Sequence, residues 1–274
     1  MLQFRGMLRF PRCLRQAKPG RERRGLDREK GDRVALWKKK EPEPVVPVYE
    51  PARERTLCAG AILADWSGCA THTLVITEQK QAARMQKQTT RTLASAWDVR
   101  TAEQLRSTVG RLLTGGQHVE IDPFFVSLRE VTLGDPTEEA PYALFRRYGS
   151  SLDDLHSVYR AIRKKLQNPD GTKMSDTDLY TAVTTTRAWD LERAAWVARM
   201  GVMAGLVDEQ ETFAILQAAR EQIEQTYRSW RDYGIAFAAG RAIGFGNNSF
   251  LVVGTLVDQL NDPSSLLNRY PIGS

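Results

Sequence analysis

The chain has 274 residues, of which 42% are hydrophobic, and its formal net charge is +6. This length and apolar fraction suffice for one domain with a substantial core. Three cysteines, Cys13, Cys58 and Cys69, exclude a dense disulfide scaffold, and no apolar run reaches the roughly 18 residues that a membrane span needs. We therefore expect a protein of a reducing compartment, the cytoplasm.

The positive charge is concentrated in residues 1–40, which contain fourteen Lys or Arg and only four Asp or Glu. Their net charge is +10, so the total of +6 leaves −4 for residues 41–274. Three interpretations stay open for this basic tail: a disordered extension from an upstream start codon, an organelle-targeting presequence, or an amphipathic arm. Nucleic acid or membrane contact is expected only through residues 1–40, because the rest is mildly acidic.

A proline-rich stretch occupies residues 41–51 and predicts a stiff, extended linker. The folded domain is therefore expected over residues 52–262, with a C-terminal tail over residues 263–274.

Capping signals then precede a series of helical patterns. The predicted starts are Thr77, Thr101 with Gln104, Asp122 followed by Pro123, Asp135 followed by Pro136, and Ser151 with Asp154. The predicted helix ends are Trp97, Gly115, Gly134 and the turn at residues 168–171. Short apolar runs between these signals give no convincing pair of strands.

The stretch 187–205 predicts a central helix with almost no solvent-facing side, beginning at Ser175 or Asp176. This helix carries four charged residues. We expect each of them to be paired, because burying an unpaired charge is costly. They are Asp190, Glu192, Arg193 and Arg199.

A second long pattern follows the capping pair Asp208 and Glu211, with a packing residue every three or four positions. Its members are Phe213, Leu216, Arg220, Ile223, Tyr227, Trp230, Gly234, Phe237 and Arg241. The pattern is expected to break near Ser229 or Gly234. Together these signals predict a single irregular all-α domain of about eight helices. Its aromatic core is predicted to contain Trp97, Trp189, Trp196, Tyr227, Trp230 and Phe237.

Several sequence blocks share their order and spacing with one known family. They are Leu93-Ala-Ser-Ala-Trp-Asp-Val-Arg-Thr-Ala-Glu-Gln-Leu105, Gly115-Gly-Gln-His118, Ala188-Trp-Asp-Leu-Glu-Arg193, Ala204-Gly-Leu206, Tyr227-Arg-Ser-Trp-Arg-Asp-Tyr233 and Gly240-Arg241. Over residues 55–245 the chain resembles the bacterial domain-of-unknown-function family 1266. The Gly-His element of that family has an inserted Gln117 here. The resemblance implies a bacterial, soluble, helical protein, and it carries over no activity and no catalytic residue.

Residues of possible chemical function were compared with packing alternatives. Cys69 and His72 form one close pair without the second half of a zinc site, and Gly240–Gly246 lacks the preceding strand of a phosphate loop. We therefore predict no metal, no cofactor and no catalytic residue. The candidate polar core or pocket comprises Asp190, Arg193, Arg220, Arg228, Ser229 and Arg241.

Asp190 and Arg193 lie three residues apart and therefore share one helix face. As a structural pair, they would tie the central helix to the next long helix through Arg220 or Arg241. As a functional pair, they would grip a polar ligand.

The expected role is a non-enzymatic protein-interaction module with another protein, possible roles being an adaptor or a toxin-neutralising immunity protein of a secretion system. The acidic body suits a basic partner. The alternative is an enzyme acting on a phosphorylated or nucleotide-like substrate through the Asp- and Arg-lined pocket. The sequence names neither the partner nor the oligomeric state.

We predict that salt-sensitive binding to polyanions depends on the basic tail, because residues 1–40 hold a net charge of +10. Each phosphate contact contributes roughly 0.9 to the slope of log affinity against log salt. Full-length protein should therefore elute from heparin at higher salt than a variant lacking residues 1–40. Equal retention would place the basic surface on the domain instead.

Overall fold

The computed structural model describes residues 48–75, 79–134, 148–246 and 249–273. No β-strand occurs among these residues, where the sole β-type contact is an isolated bridge between Gln167 and Lys173. The predicted all-α class is thus confirmed. The basic tail, most of the predicted linker and the predicted starts at Thr77 and Asp135 lie outside the described residues.

Twelve α-helices lie within the described residues. They are α1 (Pro51–Thr56), α2 (Ala61–Trp66), α3 (Gln79–Trp97), α4 (Ala102–Gly115), α5 (His118–Leu133), α6 (Leu152–Lys165, preceded by a 3-10 turn at Gly149–Ser151), α7 (Asp176–Ala182), α8 (Ala188–Ala204), α9 (Glu209–Thr226), α10 (Trp230–Gly244), α11 (Phe250–Asn261) and α12 (Leu266–Arg269).

Helix α8 is the centre of the domain. It packs against α2, α3, α4, α9 and α10, and 14 of its 17 residues are buried, as the sequence predicts for a helix without a solvent face. Small residues permit this crowding: a Cβ atom at Gly60, just before α2, would lie 3.0 Å from the Cβ of Ala195. Gly60 also has a φ of 77°, a left-handed conformation that favours glycine.

The predicted start of the central helix is wrong. Ser175 does begin a helix, but this is the short α7, which ends at Ala182. The chain between α7 and α8 is held by contacts with other helices instead. Asp122 of α5 accepts hydrogen bonds from the Oγ1 and backbone N–H of Thr186, and Tyr227 accepts one from the backbone N–H of Ala188. These long-range partners satisfy polar groups that a continuous helix would have satisfied locally.

One other predicted helix start is wrong, and at a second, correctly predicted start the expected side-chain cap is absent. Helix α5 begins at His118, a turn before the predicted Asp122, and Pro123 lies inside it. Helix α6 does begin after Ser151, but the Ser151 Oγ donates to the carbonyl oxygen of Ile243 at 3.1 Å and does not cap the helix. Both differences arise because contacts distant in sequence replace the local capping pattern.

The long packing pattern of residues 213–241 forms two helices, α9 and α10. The break falls at the first of its two predicted positions, where the Ser229 Oγ accepts the backbone N–H of Asp232 and caps α10. Gly234 lies within α10 and has another reason to be glycine: a Cβ there would be 2.3 Å from the Cδ1 of Leu256. The two helices therefore meet at a capped corner.

The segment assigned from the sequence to a C-terminal tail packs onto the domain. Leu266 and Leu267 are buried, and the ring N–H of Trp230, itself only 5% exposed, donates to the carbonyl oxygen of Tyr270 at 2.8 Å. Arg220 donates to the carbonyl oxygen of Pro271 at 3.1 Å. The expected boundary at residue 262 is corrected, because these contacts make the following residues part of the core.

The N-terminal boundary also moves. Tyr49, in the predicted linker, packs its ring edge-on against Phe213 at 5.0 Å between ring centroids. Its hydroxyl donates to Glu209 at 2.8 Å and accepts the backbone N–H of Leu74 at 3.4 Å. The folded unit therefore begins before Ala52.

We predict that a variant starting at Ala52 melts below one starting at Val48, because only the longer variant keeps Tyr49. Loss of the aromatic pair and its hydrogen bonds should cost roughly 1–2 kcal/mol, or about 2–8 °C for a domain of this size. Thermal unfolding followed by circular dichroism measures the difference. Tyr49→Phe in the longer variant is the control and should lose only the hydroxyl contribution; equal melting of the two truncations would contradict the boundary.

Candidate functional site

Asp190, in the first turn of α8, is fully buried and faces the start of α5. Its carboxylate accepts the backbone N–H groups of Gln117 at 2.9 Å and His118 at 2.8 Å. The Nδ1 of His118 lies 2.8 Å from the same carboxylate and donates its proton to it, since a carboxylate oxygen only accepts. Arg193 completes the set with a short ion pair.

This carboxylate caps α5 from outside. Gln117, the residue before the helix, makes no side-chain capping bond of its own. Free N–H groups at a helix start favour a negative charge, and Asp190 supplies it across 72 residues of chain. The external cap explains why α5 starts at His118 and not at Asp122.

Gly116 allows the Asp190 carboxylate to lie close to the backbone at the start of α5. A Cβ at Gly116 would lie 2.1 Å from the carboxyl carbon of Asp190, whereas a Cβ at the neighbouring Gly115 would meet nothing within 4 Å. The backbone φ of Gly116 is −65°, so the requirement for glycine there is one of space.

The surroundings of Asp190 keep it ionised. Burial by itself raises the pKa of this carboxyl, but the hydrogen bond from the His118 ring, the charge of Arg193 and the two backbone N–H groups lower it by more. The net pKa lies below the usual value for aspartate. A carboxylate with a lowered pKa and four donors is a poor proton acceptor.

Glu192 performs the same task for α2. Its carboxylate accepts the backbone N–H groups of Leu63 at 2.9 Å and Gly60 at 3.3 Å, together with the hydroxyl of Tyr233 at 2.6 Å. Burial raises the pKa of Glu192, and these hydrogen bonds and the charge of Arg199 only partly offset that rise. Two carboxylates of one helix thus cap two other helices.

Two buried arginines are held by backbone carbonyls. Arg199 donates to the carbonyl oxygens of Leu57, Ala59 and Thr71. Arg220 donates to the carbonyl oxygens of Arg55 and Pro271, pairs with Glu224 at 2.7 Å, and lies over the ring of Trp230. Both side chains therefore have structural partners.

Arg241, near the end of α10, is different. Its guanidinium carbon lies 4.8 Å from the ring centroid of Phe245, 5.1 Å from that of Trp66 and 5.4 Å from that of Trp189. The residue is only 3% exposed, and its Nε is buried without a hydrogen-bond partner. No carboxylate of the described residues lies within ion-pair distance of it.

The positive charge of Arg241 is held at a cost. Burial is the largest influence and lowers its pKa; the neighbouring charge of Arg193 lowers the pKa further, and the more distant Asp154 raises it, with a resulting value of about 10. Cation–π contacts of this kind contribute about 2 kcal/mol when desolvated, whereas burying an unpaired ion costs several kcal/mol. The three rings therefore offset only part of the cost.

Arg193 joins Arg241 to the capping site. Its guanidinium carbon lies 4.5 Å over the ring of Trp189, the ring that Arg241 also contacts. The side chain of Arg193 is 12% exposed and that of His118 is 15% exposed, so the group reaches solvent on this side. We call Arg193, Arg241, Trp66, Trp189 and Phe245 the Arg241 cluster.

The structure divides the predicted polar pocket. Asp190, Arg193 and Arg241 come together around Trp189, and Arg193 pairs with Asp190 as its spacing suggests. Arg220 lies instead beside α1 and the C-terminal segment, and it does not link to the Asp190 pair. Arg228 is exposed and Ser229 caps α10. The six residues therefore do not line one site.

The predicted aromatic residues are distributed through the core. Five are buried, namely Trp189, Trp196, Tyr227, Trp230 and Phe237, whereas Trp97 is partly exposed and packs against the core's edge. Sequence reasoning missed His118, Gly116, Trp66 and Phe245. The Gly-Gly pair before a helix was the available signal for a close approach, but the inserted Gln117 obscured it. Nothing in the sequence places Trp66 beside Arg241.

Neither a metal site nor a membrane helix is found within the described parts of the chain. No three His, Cys, Asp or Glu side chains there are grouped so that they could hold a metal ion. No helix there is both long enough and apolar enough to cross a bilayer.

The sequence profile of the family described as "Protein of unknown function (DUF1266)" matches residues 92–265. The chain belongs to this family. The match contains Gly116, His118, Asp190 and the Arg241 cluster except for Trp66. No curated protein and no solved structure matches the chain.

We predict that Gly116→Ala destabilises the DUF1266 domain, because the added Cβ would occupy the space of the Asp190 carboxylate. Displacing a buried, multiply bonded carboxylate should cost roughly 2–4 kcal/mol. Gly115→Ala is the matched control. It should leave stability unchanged or slightly increased, since alanine has a higher helix propensity than glycine. Chemical denaturation of both variants measures the difference, and equal stabilities would show that Asp190 can move without cost.

Asp190→Ala should cost about 3–5 kcal/mol at neutral pH, because Arg193 would remain buried without its carboxylate. The folded pKa of Asp190 is lowered. Its contribution is therefore fully present above the unfolded pKa of about 3.9 and is lost as the pH falls through the lower folded pKa. Denaturation from pH 7 to about pH 2 should show the stability gap between the wild type and the variant narrowing below about pH 4; a gap that widens towards acid would contradict the lowered pKa.

Proposed function

We propose that this DUF1266 protein is a non-enzymatic interaction module of the bacterial cytoplasm that binds another protein. One observation carries the proposal: the Asp190 carboxylate is fully engaged by four donors. The hydrogen-bonding capacity of Asp190 is thus used to fix the start of α5.

An enzyme that used this pocket would need a group that gives or takes a proton at the substrate. Asp190 has a lowered pKa, and Glu192 is sealed among α2, α8 and α10. The Nδ1–H of His118 is already engaged in a hydrogen bond to Asp190. What remains at the surface of the site is positive charge and aromatic area, a combination that favours recognition over chemistry.

The charge distribution supports a protein partner of basic character. Residues 41–274 carry −4, which attracts a positively charged surface over the long range. A toxin-neutralising protein or an adaptor of a secretion system fits this description. The basic residues 1–40 supply a separate means of contacting polyanions.

The proposal is tested by in-cell crosslinking in the native host, followed by purification of the captured protein. The purified pair should form a complex of fixed stoichiometry with a dissociation constant in the micromolar range or below, measured by calorimetry. The same preparations should show no hydrolysis of nitrophenyl phosphates or nucleotides. Turnover that His118→Ala abolishes without a change in melting temperature would overturn the proposal in favour of the enzyme alternative.

A further inference from the structure

We propose that the Arg241 cluster is a binding site for a compact oxyanion of the phosphate type. The inference deepens the proposed function and rests on it for the source of the anion, which would be a phosphoryl group on the bound partner. Its basis is the unpartnered guanidinium of Arg241, 97% buried and enclosed by three aromatic rings.

The other buried arginines of the domain show what a structural role requires. Arg199 and Arg220 each donate to backbone carbonyl oxygens, and Arg220 also pairs with Glu224. Arg241 is buried just as deeply, yet it makes no hydrogen bond and no ion pair among the described residues. Arg187 Nε and Arg231 Nη1 also lack a partner, but of the three almost fully buried arginines Arg241 is the one without a hydrogen bond among the described residues. This is the position that an anion would complete.

The surrounding charges favour a negative ligand. Arg193 repels Arg241 electrostatically, and the exposed Arg111 repels Arg193 in the same way. Three positive charges therefore act on one another here, and the outermost, Arg111, is exposed. Two carboxylates oppose them: Asp190, already paired with Arg193, and Asp154, which attracts Arg241 from beyond ion-pair distance.

The shape of the site selects the class of anion. Rings of Trp66, Trp189 and Phe245 surround the guanidinium and restrict the space around it, so a compact group fits better than a bulky one. A planar guanidinium fork matches two oxygens of one phosphate, and guanidinium is more weakly hydrated than ammonium, which suits a buried position. A phosphate dianion also neutralises more of this positive charge than a carboxylate does.

The experiment compares the full-length wild type with Arg241→Met and with the matched control Arg84→Met, an exposed arginine of α3. Titration with inorganic phosphate at constant ionic strength is followed by calorimetry and by melting temperature. The wild type and Arg84→Met should bind one phosphate and melt higher with it. Arg241→Met should bind about 10- to 100-fold more weakly, the factor that a hydrogen bond to a charged group contributes.

Stability without phosphate separates a ligand site from a packing role. If Arg241 is kept for an anion, Arg241→Met removes an unpaired buried charge and should melt at the same temperature as the wild type or higher. A lower melting temperature, or failure of this variant to fold, would mean that Arg241 serves packing and would overturn the proposal. The absence of phosphate binding by the wild type would overturn it as well, and so would equal binding by all three proteins.

Two further arms identify the class and source of the anion. Acetate replaces phosphate in one titration, and binding as tight as that of phosphate would overturn the assignment to a phosphate-type group. In the other arm, phosphate is added to the complex with the captured partner. Competition would place the anion on the partner, whereas simultaneous binding would assign the site to free phosphate and overturn that part of the inference. A partner bound equally by wild type and Arg241→Met would leave the proposed function standing while removing this inference.

Discussion

The fold depends on two buried carboxyl groups of helix α8 that accept the amide groups at the starts of two other helices. Asp190 caps α5 and Glu192 caps α2, and each carboxylate is buried within the domain. The ionised carboxylate of Asp190 is tolerated in such a place because the amide groups that it meets are otherwise unsatisfied and carry partial positive charge. Removal of either side would leave the other without a partner, so the caps fix where α2 and α5 sit on α8.

The buried arginines follow the opposite rule. Arg199 meets carbonyl oxygens beyond the end of α1, and Arg187 donates to the carbonyl oxygen of Leu113 in the last turn of α4. Acids therefore lie at helix starts and bases at helix ends, as the direction of the helix dipole favours. Such an arrangement specifies one packing among several that hydrophobic burial alone would allow. Among the almost fully buried arginines, Arg241 is the exception, because it donates to no carbonyl oxygen of the described residues.

The sequence predicted the fold class, the buried character of α8 and several helix boundaries, because these depend on local periodicity and capping. The capping box of Thr101 with Gln104 and the stop at Gly134 are examples. It failed where a distant residue replaced a local signal, as at the start of α5 and between α7 and α8. For the candidate site it paired Asp190 with Arg193 correctly but could not place Arg220 away from Arg241. Spacing along a helix predicts which residues share a face, but not which neighbour covers that face.

The external cap on α5 also bears on the order in which the chain folds. The amides of Gln117 and His118 gain their acceptor only when a residue 72 positions later reaches them. Until α8 docks, the local sequence favours a helix that starts at Asp122, with Pro123 in the first turn. The four residues before it would then join α5 late, as a consequence of tertiary assembly. The first turn of this helix is therefore a reporter of whether the centre of the domain has formed.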